Sequence, residues 1–222
     1  MSTTEQPQDL EKVQVPQQAP PPAVARRYVI ANPGPLGLSS FALTTFVLSL
    51  HNGGAGFPAS SPSNVVVGLA FFYGGLVQLL AGMWEFATGN TFGATAFSSY
   101  GGFWLSYALI FIPGANIEGA YADSEPDVFK RSMTIYLISW AIVTAMLLIA
   151  SHRSSIGMVL LFFALLVTFI LLAAAEYNSS IPTKVAAGSF GVITSVIAWY
   201  NALSGMLTKE SSYFLLPMGK LP

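Results

Sequence analysis

After Tyr28 the chain alternates between long apolar stretches and short polar connectors. Six stretches stand out, at Pro35–Leu50, Val65–Trp84, Thr91–Ile112, Met133–Ala150, Ile156–Ala175 and Val185–Leu207. A helix crosses the hydrocarbon core with roughly 20 residues, within a range of about 17–25. The pattern therefore predicts an all-α, polytopic membrane protein whose six transmembrane helices pack as a bundle. The first stretch spans only if Asn32 and His51 lie at its two interfaces. The expected organisation is a disordered cytoplasmic tail over 1–27, the six-helix membrane domain over 28–210, and a cytoplasmic C-terminal tail over 211–222.

Composition agrees, because 53% hydrophobic and 9% charged residues cannot clothe 222 residues in a water-soluble surface. The absence of cysteine excludes disulfides, iron–sulfur clusters and thiolate metal sites. A net charge of −1 gives no steer towards nucleic acid. The first 25 residues, rich in Pro and Gln, bury too little apolar area to offset chain ordering. They lack the basic start and apolar run of a signal peptide, so the first helix is expected to act as the insertion signal. Lys12, Arg26, Arg27, Arg153, Lys209 and Lys220 fall on one side of the bundle, and Lys130, Arg131 and Lys184 on the other. The richer side is expected to be cytoplasmic, with both termini there.

Within the spans, glycine recurs every seven residues at Gly68, Gly75, Gly82 and Gly89, which predicts a smooth groove along helix 2. Helix 6 carries a comparable line of small residues, Ala187, Gly191, Ser195, Ala198, Ala202 and Gly205. Each stripe fits either packing inside one subunit or a contact between subunits. Polar side chains are costly in lipid, so Gln78 and Glu85, one heptad apart, are expected to point inward together with hydroxyls such as Thr91 and Thr95. No span carries Lys or Arg away from its ends. A passing anion would then rely on hydroxyls, amides and helix ends, or cross as the neutral acid; a small carboxylic acid, with a pKa of about 4, interconverts readily between both forms. His51, Glu85 and Glu176 are the candidate proton-relay groups. With only two histidines, His51 and His152, on opposite sides, and no nucleotide loop, the spans hold no catalytic set and no metal or cofactor site.

Helix 1 opens with Asn32-Pro33-Gly34-Pro35-Leu36-Gly37-Leu38, where two prolines hold the chain extended and the amides of Leu36, Gly37 and Leu38 are expected to lack acceptors. Such an end favours carboxylates. This stretch resembles the N-P-x-P-L-G-L signature of the acetate uptake transporter family of bacterial succinate–acetate permeases and fungal acetate transporters. A second block extends the likeness: Phe72-Tyr73-Gly74-Gly75, Gln78, Ala81-Gly82, Glu85, Gly89-Asn90-Thr91-Phe92-Gly93, Thr95-Ala96-Phe97, Ser99-Tyr100-Gly101 and Phe103-Trp104. Leu216-Pro217-Met218-Gly219 also matches. Gly34 departs from the usual alanine or valine, and the helix 1–2 connector is longer than in compact bacterial relatives.

The resemblance implies a pore inside each subunit for acetate and, in some members, succinate, a homohexamer in the membrane, and an aromatic and aliphatic constriction. The matching positions are Phe41, Tyr100 and Leu165. Asn32, Leu36, Gly37, Leu38, Gln78, Glu85, Thr91 and Thr95 are then expected along the substrate pathway. Helices 1, 3 and 5 run in one direction, and counting from their starts puts Phe41, Tyr100 and Leu165 roughly 9–15 Å deep. The long Pro/Gln tail points to a fungal plasma-membrane protein. Two other readings stay open: an ammonium or ammonia transporter, and a membrane sensor or scaffold without transport.

Overall fold

The computed structural model describes residues 30–219 and 221, so the expected tail over 1–27 lies outside the described residues. Six long helices account for most of the described chain: α1 Gly34–Asn52, α2 Val66–Thr88, α3 Thr91–Ile110, α4 Val128–Ser151, α5 Ile156–Asn178 and α6 Ile181–Met206. Of these, α2, α4, α5 and α6 are long and apolar enough to cross a membrane. The other two carry more Ser, Thr and Gly, and much of each is buried among the remaining helices. A helix shielded from lipid has no need of an apolar surface all round.

The helix ends follow local chemistry. Asn32 Oδ1 accepts from the Gly34 N–H at 3.0 Å, which holds the chain as it enters α1 behind the Pro33 cap. The Pro33 carbonyl accepts from Leu36 and Gly37, both at 3.1 Å. Two of the amides expected to be free are thus occupied, since a proline one residue before the helix still offers its carbonyl. Gly89, at φ +81°, ends α2, and Asn90 caps α3 by accepting from the Gly93 N–H at 3.0 Å. Ser155 and Ser180 cap α5 and α6. The α4 helix begins five residues before the expected Met133, because Lys130 and Arg131 form a polar first turn of the same helix.

One π turn, Phe72–Val77, interrupts α2. The extra residue it accommodates shifts the phase of everything before it. The glycine groove is therefore shorter than the heptad predicts. A Cβ on Gly75 would meet Leu105 at 2.7 Å and one on Gly82 would meet the Ser98 backbone N at 2.7 Å, so both seat α2 on α3. Gly68 meets nothing within 4 Å. The small-residue line of α6 faces α1 within the same chain: a Cβ on Gly191 would meet the Ser49 Cβ at 2.9 Å, and one on Gly205 would meet Pro35 at 3.1 Å.

Neighbouring helices pack in the order α4, α5, α6, α1, α2, α3. The α3 and α4 backbones contact sparingly, and polar side chains bridge them: Tyr100 to Thr144 at 2.9 Å and Ser106 to Tyr136 at 2.8 Å. The odd-numbered helices α1, α3 and α5 supply most of the residues around the central axis. The segment after α6 folds back against the bundle. Tyr200 Oη donates to the Pro217 carbonyl at 2.7 Å and Ser204 Oγ to Leu216 at 2.8 Å. Gly219 and Met218 carbonyls then accept from the first amides of α5, Ile156 at 2.8 Å and Gly157 at 3.3 Å. Residues 216–219 thus form a strap across one end of the bundle.

Candidate functional site: a line of cavities around Phe41

Four cavities follow one another along the axis, each sharing wall residues with the next. The first, of about 480 Å³, opens at the end where α1 begins and is lined by Asn32, Glu85, Asn90, Arg153, Asn201 and the strap residue Met218. The second, of about 20 Å³, shares Leu38, Phe92, Phe97 and Met158 with the first and adds Gln78, Phe41 and Tyr100. The third, of about 30 Å³, lies beyond Phe41, which lines both small chambers; Leu165, Thr45 and Trp104 belong to its wall. The fourth, of about 260 Å³, shares Asn52, Leu48, Phe103 and Leu172 with the third and contains Glu176, Lys184 and the connector residues Ser60–Asn64.

The narrow middle arises because bulky side chains from parallel helices meet at one depth. Phe41 and Tyr100 have ring centroids 5.6 Å apart, and Tyr100 lies 6.4 Å from Phe162 of α5. Phe41, Tyr100 and Leu165 are all buried. Each small chamber has room for one or two water-sized groups. Charged side chains line only the two large cavities. Arg153 belongs to the first and Lys184 to the fourth, so each mouth carries one basic and one acidic residue around an uncharged waist.

Hydrogen bonding separates structural polar groups from available ones. The Thr144 hydroxyl donates to the Trp140 carbonyl at 2.7 Å, so in its 2.9 Å contact with Tyr100 it accepts, and the tyrosine proton is committed to α4. The Tyr100 hydroxyl is therefore a bundle fastener rather than a donor offered to a solute. Glu85, 3% exposed, accepts from Asn90 Nδ2 at 2.8 Å, which ties the end of α2 to the cap of α3. Gln78 is 1% exposed and its Oε1 finds no partner among the described residues. An unpaired buried amide facing a chamber is a group available to a passing solute.

Of the residues singled out in the sequence, Asn32, Leu38, Phe41, Gln78, Glu85, Tyr100 and Leu165 line the cavities of one axis. The structure does not bring in four others. Leu36 is 47% exposed, and Thr91 and Thr95 are exposed, with Thr95 donating to the Thr91 carbonyl at 2.8 Å. Gly37 serves packing, since a Cβ there would meet the Phe97 ring at 2.6 Å. The candidate relay groups also part company: Glu85 lines the Arg153 mouth and Glu176 the Lys184 mouth. His51 stacks on Phe57 with centroids 4.6 Å apart, and its Nδ1 has no partner among the described residues. Sequence reading missed Arg153, Lys184, Asn201, Thr45 and Trp104 as lining residues. The basic residues at span ends were visible in the sequence; the rotation that aims them inward was not.

Comparison with known proteins places this architecture. Ammonia transport outward protein 2 of Saccharomyces cerevisiae is 48% identical over 200 residues, 90% of this chain and 70% of the relative. Acetate permease A of Emericella nidulans is 46% identical over 209 residues, 89% of this chain and 68% of the relative. The solved structure of the bacterial acetate channel SatP superposes with a TM-score of 0.75 at 32% identity, covering 86% of this chain and 100% of that one. The profile of the GPR1/FUN34/yaaH family matches residues 15–222, and the chain belongs to that family.

Proposed function

We propose that the chain carries acetate and other small carboxylates across the membrane along the axis of α1, α3 and α5, with Phe41, Tyr100 and Leu165 closing the waist. The observation that carries this reading is the series of four cavities with shared walls, whose two small members meet at Phe41. An apolar waist excludes hydrated ions, whereas a carboxylate with one methyl group presents an apolar end to it. Amides and hydroxyls on either side replace part of the lost water. Relatives named for acetate transport support the same assignment.

Glu85 and Glu176 are the relay candidates that line this path, one at each mouth, and we assign Glu85 the coupling of proton and carboxylate at the Arg153 mouth. That mouth is assigned to the cytoplasm, together with both termini, because the order of the spans along the sequence allots six of the nine Lys and Arg residues to its side. Assembly as a homohexamer in a fungal plasma membrane completes the proposal. The test is flux of labelled acetate into vesicles containing the purified protein. Acetate entry above protein-free vesicles, accelerated by an acid outer solution, is the expected result. Acetate entry equal to that of empty vesicles, with ammonium entry raised, would assign the chain to the ammonium reading that the Saccharomyces relative's name suggests.

A further inference from the structure

We propose that the outward-facing groove between α4 and α5 is a phospholipid site, holding an acyl chain of the Lys184-side leaflet with its anionic headgroup on Arg131. The site lies apart from the carboxylate route and does not depend on it. The groove has a volume of about 730 Å³. Ala141 and Ala145 of α4 and Ala173 and Ala174 of α5 form its floor, and the exposed Ile142 and Ile170 form its banks. Alanines between isoleucines leave a furrow, and in a bilayer an alkyl chain fills such a gap through dispersion contacts.

The length of the furrow fits one leaflet. On α4 the lining runs from Thr134 to Ala145, and on α5 from Leu166 to Asn178. At 1.5 Å per residue these runs measure roughly 17–18 Å, close to the half-thickness of about 15 Å of a hydrocarbon core. Beyond them, towards the Arg153 end, the exposed side chains are the bulkier Ile149 and Phe163.

Polar groups gather only at the head of the groove, where α4 begins and α5 ends. Thr134 donates to the Lys130 carbonyl and Asn178 Nδ2 to the Ala174 carbonyl, both at 2.9 Å, so each bonds its own helix. The Tyr177 side chain is exposed, and its hydroxyl has no partner among the described residues. Arg131 precedes Thr134 by three residues and Ile138 by seven, and so continues the lining face of α4 to the level of the headgroups. Lys130 is held by Asp127 at 2.7 Å. Arg131 is exposed and, among the described residues, forms no ion pair with Asp127 or with the connector carboxylates Glu118, Asp123 and Glu125. Its guanidinium offers a fork of donors to a phosphate, and an interfacial tyrosine adds another. A sterol supplies a hydroxyl but no charge for Arg131.

The test is native mass spectrometry of the purified full chain, released from detergent micelles titrated with phosphatidylglycerol, phosphatidylcholine or cholesterol. Each subunit is expected to retain one phosphatidylglycerol under conditions where the other two dissociate. Arg131→Gln is expected to weaken that retention about fivefold, the effect of one basic residue beside an anionic lipid. Ala145→Phe fills the floor and is expected to abolish retention, while Ile135→Phe, exposed on α4 but outside the groove, is expected to keep it. Equal retention of phosphatidylglycerol by Arg131→Gln and the parent overturns the site, and this comparison alters an exposed side chain alone, so it decides even where Ala145→Phe fails to fold. Cholesterol retained in place of the phospholipid overturns the site in favour of a sterol groove. A subunit count altered by Ala145→Phe, with lipid retention unchanged, overturns it in favour of a contact between copies.

Discussion

The two mouths of the axis are built differently. The Arg153 mouth, about 480 Å³, is walled by helix starts, the α2–α3 corner and the C-terminal strap, and Asn32, Glu85 and Asn90 are held in hydrogen bonds to neighbouring elements. The Lys184 mouth, about 260 Å³, is covered by the Ser60–Asn64 connector and walled by Phe103, Tyr107, Phe111 and Phe129. One mouth is a polar network fixed to the helix ends; the other is an aromatic funnel with a single lysine and a single glutamate at its rim. Both lead to chambers where buried polar atoms lack partners among the described residues, Gln78 on one side of Phe41 and Thr45 with Trp104 on the other. The difference confines charged side chains to the mouths and leaves the waist to neutral groups and shape.

The largest effect is expected at the waist both mouths share. Phe41→Ala removes the ring that divides the two chambers, and butyrate and succinate flux relative to acetate is expected to rise about tenfold; unchanged ratios would remove Phe41 from the waist. Such a truncation costs about 3–5 kcal/mol of stability when the site does not collapse, so the melting temperature is measured beside it. Next comes the network of the Arg153 mouth. Asn90→Ala removes the α3 cap and the donor to Glu85, and a loss of about 1 kcal/mol is expected from thermal unfolding in detergent. Equal melting of variant and parent would show that mouth to be less ordered than its hydrogen bonds indicate.

Smaller effects distinguish the mouths by their response to salt. Lys184→Gln is expected to raise the half-saturating acetate concentration about threefold at low ionic strength, and hardly at all in 1 M salt, where the Debye length is about 3 Å. A salt-independent change would make Lys184 a packing residue. Tyr200→Phe, which frees the strap at Pro217, is expected to cost about 1 kcal/mol and to increase proteolytic cleavage after α6 without altering the selectivity ratio.

Much of this was legible in the sequence because lipid imposes a strong pattern. Apolar runs gave six helices, and Gln78 and Glu85 face inward as their spacing requires. Counting from the starts of α1, α3 and α5 brought Phe41, Tyr100 and Leu165 to one depth, since helical rise is uniform. The misses share a cause. The π turn at Phe72–Val77 is a hydrogen-bond shift without a hydropathy signature, so the glycine heptad was extended through a break in phase. Thr91 and Thr95, which the family resemblance puts along the pathway, are exposed on α3, a rotation the motif does not record. Whether a hydroxyl bonds its own helix, as Thr44 does, or leaves its proton for a chamber, as Thr45 does, depends on side-chain packing that no local pattern records.

The account stands on the route through Phe41 and Leu165, and the cysteine-free chain allows that route to be probed residue by residue. A single cysteine at Leu165, treated with a small charged thiol reagent in vesicles, is the most direct measurement; Ile142→Cys, on the exposed face of α4, is the control. The predicted result is loss of acetate flux on modification at 165, slowed when acetate is present, with flux at 142 unchanged. Full acetate flux through protein shown by mass to be modified at 165 would contradict the account.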